Sequence, residues 1–385
     1  MRTENTVSAT AAYIEGASDV RIWGMFGRER GVRLTRRLGL ALLEELEMPA
    51  SGPHPLLLLR ADSVFEERLA KELIKCPGVL LVAPSSAGLT ALAACVESEQ
   101  AARAMELLRK EGLTETAIRE AGLKPMQAAD MVGLYDAALR KRAPPCAFRL
   151  MPPNTAQIEK ITFDAAYKGV TDLVTKSIFP WPTFHITRLL SQTKATPNVV
   201  TTASLVFTLL FFPFVLNGYF LAGIGCIWAM ALLDTVDGKL ARVTLTSTQF
   251  GRVYDHGIDL VAPPLWWFAW WLGLPEHGDG LIYWSVWMVV GGHVAGKLVE
   301  QLFISTFGIK IHIWRKFDSN FRLITARRNP NLLILTLFTV LGFPAAGYLA
   351  VAVWILFSLG VHMVRYLQAL AARRNGVAIT SWLAT

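Results

Sequence analysis

The sequence predicts a polytopic α-helical membrane domain of six transmembrane helices, preceded by a cytosolic α/β domain. Three observations carry that prediction. Composition changes sharply near the middle of the 385 residues. Residues 1–195 are charged throughout and hold no apolar run near the ~20 residues that cross a bilayer, whereas residues 198–372 are dominated by long apolar runs. The connections between those runs separate by charge, and the first half alternates short apolar runs with helical patterns. The expected organisation is an α/β domain over 1–150, a linker with an amphipathic juxtamembrane segment over 151–196, and the membrane domain over 197–375.

In the first half, VRIWGMFG, HPLLLLRADS and GVLLVAP read as strands. Each is followed by an amphipathic stretch such as EERLAKELIK or LTALAACVESEQAARAMELLRK, the alternation of an α/β layered domain. Two places there have the residues for chemistry. GMFGRERGVRLTRRL at 24–38 follows a strand with glycines and arginines, a pattern that can cradle phosphate on backbone N–H groups at a helix start. Arg60-Ala61-Asp62 ends another strand, where the aspartate is a candidate metal ligand. The opening residues, MRTENTVSATAAYIEGASD, hold no apolar signal-peptide core, so this half is expected in the cytosol. Cys76, Cys95, Cys146 and Cys226 form no CxxC pair and no metal-ligand spacing, and read as reduced core residues. The net charge of +8, in a chain of this hydropathy, points to anionic lipid headgroups and topology signals, with no nucleic acid as partner.

The stretch TDLVTKSIFPWPTFHITRLL at 171–190 mixes apolar and basic residues. It reads as a segment lying on the membrane surface, interrupted at Pro180 and Pro182, or as a plain linker helix. The six spans fall at about 198–217, 219–243, 253–274, 280–303, 330–345 and 347–370. The turn at Asn217-Gly218, the loop PEHGDG and the turn GFPAAG contain no Lys or Arg. The opposite side carries Lys239, Arg242, Arg252, Lys310, Arg315, Lys316, Arg322, Arg327, Arg328, Arg373 and Arg374. This asymmetry places the chain in the inner, cytoplasmic membrane as a multi-pass protein with both termini in the cytoplasm.

Between two lipid-like segments lies LLDTVDGKLARVTLTSTQFGRVYDHGIDL, residues 232–260. A carboxylate in a bilayer costs roughly 2.5–3.5 kcal/mol even on the lenient insertion scale, and here there are four. Asp234 lies about 22 Å along the second span at 1.5 Å per residue, and Asp255 and Asp259 fall in the first turns of the third. All four acids therefore share a depth near the cytoplasmic face. Asp234 and Asp237 are three apart and Asp255 and Asp259 four apart, so each pair shares a helix face. Two such faces form an oxygen-rich cluster suited to hard divalent cations. Gly238, Ala241 and Gly251 leave room for close approach, and Arg242 offers a fixed positive charge for a phosphate. These are the parts of a phosphoryl-transfer site. A structural ion-pair network, or the carboxylate chain of an ion or proton pathway, uses the same residue types.

Written out, the segment is Asp234-x2-Asp237-Gly238-x2-Ala241-Arg242-x8-Gly251-x3-Asp255-x3-Asp259. This pattern resembles, at every position, the signature of the CDP-alcohol phosphotransferase (CDP-alcohol phosphatidyltransferase) family. The resemblance covers roughly residues 170–372, with the TPN at 196–198 that typically opens the family's first span. It implies six transmembrane helices, usually a homodimer, and two divalent ions, magnesium or manganese, at Asp234, Asp237, Asp255 and Asp259. It implies displacement of CMP from a CDP-linked donor by an alcohol acceptor, one of the two being a lipid, in phospholipid or related lipid synthesis. Gly238, Ala241, Arg242 and Gly251 then shape the CDP site, and Asp259 is the family's usual general base.

DGKLAR and DHGID look like the choline and ethanolamine phosphotransferase branch, which favours a CDP-activated polar headgroup or polyol as donor and makes His256 a rival base. His256 as a partner orienting a carboxylate is the other reading. The alternatives for the whole chain are a CDP-diacylglycerol-dependent phosphatidyltransferase acting on a polyol or polyol phosphate, and an ion- or proton-coupled transporter. Lys297, with His293 a turn deeper, is a candidate substrate contact or a salt-bridge partner of Glu300. Arg327 and Arg328 are candidates for an acceptor phosphate or for helix anchoring. The first domain loosely resembles the sugar-phosphate nucleotidyltransferases, in the order found in inositol-phosphate cytidylyltransferase/di-inositol-phosphate synthase fusions. It lacks the Pro-Lys pair that follows the glycine-rich loop there, which implies a degenerate domain that binds, docks or regulates.

The topology is directly testable in a variant whose four cysteines are replaced. A cysteine introduced for Gly278 should react with a membrane-impermeant maleimide on intact cells, and one for Lys316 after lysis alone. The reverse labelling would invert the orientation.

Overall fold

The structure, a computed structural model, describes residues 9–45 and 55–384. The first eight residues of the opening stretch and His54, which begins the expected strand HPLLLLRADS, lie outside them. The first half is built on a sheet of β1 (Ala11–Glu15), β2 (Ala41–Leu43), β3 (Leu56–Arg60), β4 (Val79–Ser85), β5 (Gly88–Val96) and β6 (Lys124–Gln127), in the spatial order β2-β1-β3-β5-β4-β6. β1 runs parallel to β2 and β3, and β6 parallel to β4. β5 is antiparallel to both β3 and β4. Helices α1 (Gly27–Leu38), α2 (Glu67–Leu73) and α3 (Ala101–Arg109) cover the sheet. Leu57 and Leu59 of β3 pack with Leu34, Leu69 and Leu73 on one face. Leu56 and Leu58 pack with Ala104, Met105 and Leu108 on the other.

Two expected elements differ. LTALAACV, read as the start of a helical stretch, is strand β5, hairpin-paired to β4 through a turn that ends at Gly88 with φ +129°. It is buried on both faces, so no alternation marks it as a strand. VRIWGMFG is two very short strands, Arg21–Ile22 and Met25–Phe26, folded on each other at Trp23 and Gly24, both at positive φ. The first strand of the main sheet is instead β1, whose two alanines and flanking polar residues give little apolar signal.

After α4 (Thr155–Ala165) comes α5 (Pro180–Ser191). Pro180 starts α5, since proline is tolerated in a first turn. Trp181 is 74% exposed and Leu189 is also exposed, an apolar outer face on this juxtamembrane helix. The second half is α6 (Pro197–Leu216), α7 (Phe220–Val243), α8 (Gln249–Gly273), α9 (Gly280–Phe307), α10 (Arg328–Val340) and α11 (Pro344–Arg374). Three of these, α6, α7 and α11, are long and apolar enough to cross a membrane. α10 has 13 residues, too few for a ~30 Å hydrocarbon core at 1.5 Å each. α8 and α9 are long, but Asp255, His256 and Asp259 interrupt one and His293, Lys297 and Glu300 the other. The six expected spans thus correspond to six helices, three of which meet both criteria. Phe211, Phe220, Trp266, Trp267, Trp270 and Tyr348 fill the bundle, and Tyr348 Oη donates to the Trp267 carbonyl at 2.9 Å. Leu281, Trp284, Trp287 and Leu298 of α9 point outward, as a lipid-facing helix requires.

The halves meet at the C-terminal end of α7. The last carbonyls of a helix lack intrahelical donors and carry the negative end of its dipole. Arg30 Nη1 donates to the Val243 carbonyl and Arg33 Nη1 to the Thr244 carbonyl, both at 2.8 Å. Val243 is buried with Trp23, Val64 and Phe163. Leu245, at φ +56°, packs against the α/β core itself. In segment 24–38, expected as a phosphate cradle, Arg28 Nη1 donates to the Ile14 carbonyl at 2.9 Å and Arg37 pairs with Glu67 at 2.7 Å, while Arg37 Nε and Nη1 are buried without a hydrogen bond among the described residues and Arg36 is exposed. Side chains at Gly24 and Gly27 would run into the carbonyls of Ser191 and Ala61, so these glycines serve chain packing. Asp62 is held by Arg60 at 2.7 Å and Arg149 at 2.9 Å, so its carboxylate has cationic partners from the protein.

Arg30→Gln should therefore loosen α7. The expected loss is about 1–3 kcal/mol for a buried charged donor, read as a lower Tm and faster hydrogen exchange at 243–246. Arg103→Gln, on the exposed side of α3, is the control; equal behaviour of the two variants would dismiss the contact.

Candidate active site

α7 presents Asp234 and Asp237, and α8 presents Asp255 and Asp259. The Thr248 side chain caps α8 by accepting from Gly251 N at 3.0 Å, which fixes where that helix starts and so the level of Asp255. Carboxylate oxygens of Asp234, Asp237 and Asp255 lie within 4.8 Å of one another. Three hard oxygen donors at that separation fit a divalent cation such as magnesium or manganese. Asp259 lies beside this group. Its Oδ1 accepts from Arg328 Nη1 at 3.2 Å, while Arg328 Nη2 reaches Asp234 Oδ2 at 2.5 Å. Arg328, at the start of α10, thus bridges one acid of each helix. Its position in the sequence marks it as a boundary residue and does not reveal this reach.

Thr201 on α6 donates to Asp237 Oδ2 at 2.5 Å, fixing that carboxylate. Sequence reasoning missed it. Its signal was a hydroxyl one turn after Pro197 on an otherwise apolar helix. His256 Nδ1 lies 3.6 Å from Asp255 Oδ2, and its side chain is 83% exposed. A methyl group on Gly251 would stand 2.7 Å from Asn198 Oδ1, and one on Gly238 3.1 Å from Arg242 Nη2. The Arg242 Nε is shut off from solvent and has no hydrogen-bond partner among the described residues. Ala241 closes α7 by accepting from Thr246 N at 2.9 Å.

A second polar group sits on α9 and the loop after it. Of the two readings of Lys297, the salt bridge to Glu300 does not form: Glu300 pairs with Arg327 and accepts from His312 Nε2 at 3.1 Å. Burial pushes His312 down to about 3, so at neutral pH its ring is neutral and Nε2–H is the donor. Lys297 makes no hydrogen bond among the described residues. With His293, Glu300, Arg327, Ser358 and His362 it lines a small cavity.

Residues 194–358 match the family model described as CDP-alcohol phosphatidyltransferase, a family of phosphotransferase enzymes. The chain is also 34% identical over 106 residues to phosphatidylinositol phosphate synthases of Mycobacterium bovis and Mycobacterium tuberculosis. Those alignments cover 25% of this chain and 48% of each relative, so the chain spans about half the length of the curated relatives it matches.

If the three converging acids hold a cation, Asp237→Asn should strongly weaken Mn2+ binding, read by electron paramagnetic resonance on the full chain. Thr201→Val, which removes the hydrogen bond alone, should cost about tenfold. Unchanged binding in Asp237→Asn would exclude the cluster as a metal site.

Proposed function

We propose that the protein is a membrane CDP-alcohol phosphotransferase that moves a phospho-alcohol from a CDP-linked donor to an acceptor hydroxyl and releases CMP. The observation that carries this reading is the convergence of Asp234, Asp237 and Asp255 inside a segment of the family, with Arg242 and the small residues around it. Asp234, Asp237 and Asp255, with Asp259 beside them, would hold two divalent ions, which when bound neutralise the donor's phosphates and polarise the phosphorus. The buried, unpartnered Nε of Arg242 is suited to a phosphate oxygen of CDP. Gly238, Ala241 and Gly251 would shape the nucleotide site, the two glycines by admitting the Arg242 guanidinium and the Asn198 side chain at close range.

In this reading the acceptor O–H gives its proton to the Asp259 carboxylate. The oxygen attacks the β-phosphorus, the bond from that phosphorus to the bridging oxygen breaks, and CMP leaves with the electron pair. Asp259 is favoured over His256 because it faces the cluster, whereas His256 turns its ring outward beside Asp255. His256 then orients Asp255. Arg328, drawn between Asp234 and Asp259, occupies the charge position that the cations would take over. The protein would sit in the inner membrane as a homodimer with six membrane helices and both termini cytoplasmic, the 13-residue α10 crossing only where the hydrocarbon layer thins around it.

Two donors fit. A CDP-activated headgroup or polyol is supported by the DGKLAR and DHGID wording. CDP-diacylglycerol with a polyol phosphate acceptor is supported by the likeness to phosphatidylinositol phosphate synthases and by the cationic residues Lys297 and Arg327.

The test runs the reaction backwards in membranes carrying the protein, with magnesium and labelled CMP. Label should enter a CDP compound, and chelation or Asp259→Asn should stop it. His256→Gln should slow it far less. Label in a water-soluble compound assigns the headgroup donor; label in a solvent-soluble lipid assigns CDP-diacylglycerol. No labelled CDP compound of either kind would sink the enzyme reading.

A further inference from the structure

Residues 244–248 are the whole connection between α7, which carries Asp234 and Asp237, and α8, which carries Asp255 and Asp259. Asp237 lies less than two helical turns before this connection, and Asp255 about two turns after it. The shape of the turn therefore decides how the two pairs of carboxylates face each other. That shape is strained. Leu245 stands at φ +56°, where its β-carbon crowds the backbone and where a helix end ordinarily places glycine or asparagine. A bulky residue stays in that region only where its surroundings hold it there.

The turn supplies part of that hold itself. Thr244 Oγ1 donates to the Leu240 carbonyl at 2.6 Å, and Leu245 N to the Arg242 carbonyl at 3.3 Å. Thr246 N and Ser247 Oγ both donate to the Ala241 carbonyl, at 2.9 and 3.2 Å. The next two carbonyls are left for the α/β half. Arg30 Nη1 meets the Val243 oxygen and Arg33 Nη1 the Thr244 oxygen, each at 2.8 Å, and these cations also answer the negative end of the α7 dipole. Arg30 is buried, and Arg33 Nη2 donates to Glu29 Oε1 at 2.6 Å, which steadies the Arg33 guanidinium. The Leu245 side chain packs, partly buried, against the core that holds Leu34 of α1 and Leu69 of α2. The α/β half thus provides two hydrogen bonds and an apolar seat to a turn whose backbone would otherwise favour another conformation.

We infer that Arg33 and Leu245 are positioning residues for the cation site: through them the α/β half holds the α7–α8 turn in the backbone shape that brings Asp255 to Asp234 and Asp237. Neither residue touches a carboxylate; both act through the turn. Arg33 lies outside the family-matched residues 194–358, so the geometry of the acids within that segment depends on a neighbouring domain. The inference rests on the reading of the acids as a cation site, and not on the identity of the donor or the acceptor. It gives the α/β half a task that needs neither a ligand nor catalysis of its own. A half released from the turn would free Leu245 to leave the left-handed region, and α8 would shift against α7.

The experiment measures Mn2+ binding by electron paramagnetic resonance, with the Tm alongside, on the purified full chain in nanodiscs. Arg33→Gln should raise the Mn2+ dissociation constant by about tenfold, the usual effect of losing an outer support of a metal ligand. Arg33→Lys, which keeps a charged donor, should recover most of the loss. Glu29→Gln leaves Arg33 in place but unsteadied, and should shift the constant in the same direction by less; it serves if Arg33→Gln does not fold. Leu245→Ala keeps the strained φ and loses the packing, so it should weaken Mn2+ by a similar factor. Leu245→Gly loses the same packing but takes a positive φ freely, so it should bind Mn2+ more tightly than Leu245→Ala. A side chain that merely fills space would give no such order. Arg33→Gln combined with Leu245→Ala should lose less than the product of the two, because both act through one turn. The proposal is overturned if wild type binds no Mn2+, or if Arg33→Gln and Leu245→Ala lower the Tm yet bind Mn2+ as wild type does; in the latter case the contacts only join the two halves. Labelled-CMP incorporation in the same preparations separates this inference from the transferase reading. Incorporation with Mn2+ binding indifferent to Arg33 keeps the transferase and discards the positioning role. Arg33-dependent binding without incorporation does the reverse.

Discussion

Four carboxylates gathered at one end of an apolar bundle repel one another, and the surrounding architecture answers that repulsion. Arg328 is drawn in from the start of α10 to bridge Asp234 and Asp259. Thr201 turns its hydroxyl to Asp237. Arg242 stands with its Nε buried and unpaired. In an environment of low polarity each of these contacts is worth more than it would be in water, and each is correspondingly costly to leave half made. The same strain that would unfold a structural cluster makes this one receptive to cations.

A second arrangement depends on the first. α7 carries two of the acids, and its last carbonyls are held by Arg30 and Arg33 of the α/β half. Its last residue, Val243, is buried with Trp23 and Val64 of that half, and Leu245 packs against the sheet core. Residues 166–173 run between α7 and α10, tied to Lys239 at one end and to Asn329 at the other. The α/β half therefore touches the acidic cluster's supports from two directions. Of its glycines and arginines, which in sequence look like a ligand loop, Gly24, Gly27, Arg28, Arg30 and Arg33 are taken up by protein contacts.

Much of this was legible in the residues. Spacings of three and four fix a helix face, so the pairing of the acids followed from Asp234, Asp237, Asp255 and Asp259 alone, as did the helical bundle from apolar run lengths. What stayed hidden depends on distance in three dimensions. Nothing in the order of residues brings Arg328 across to Asp234, or ties Glu300 to Arg327 and His312 in preference to the nearer Lys297. Strand β5 escaped because both its faces are buried, which removes the alternation that identifies a strand.

Leu245 gives the chain an unusual history. It belongs to the turn after α7, yet its side chain packs, partly buried, against the core of a domain made more than a hundred residues earlier. On the ribosome the α/β half emerges before that contact can form, and the contact closes only when the second long apolar helix has been made and its far end turns back. Part of the cover of the α/β core therefore arrives with the membrane domain.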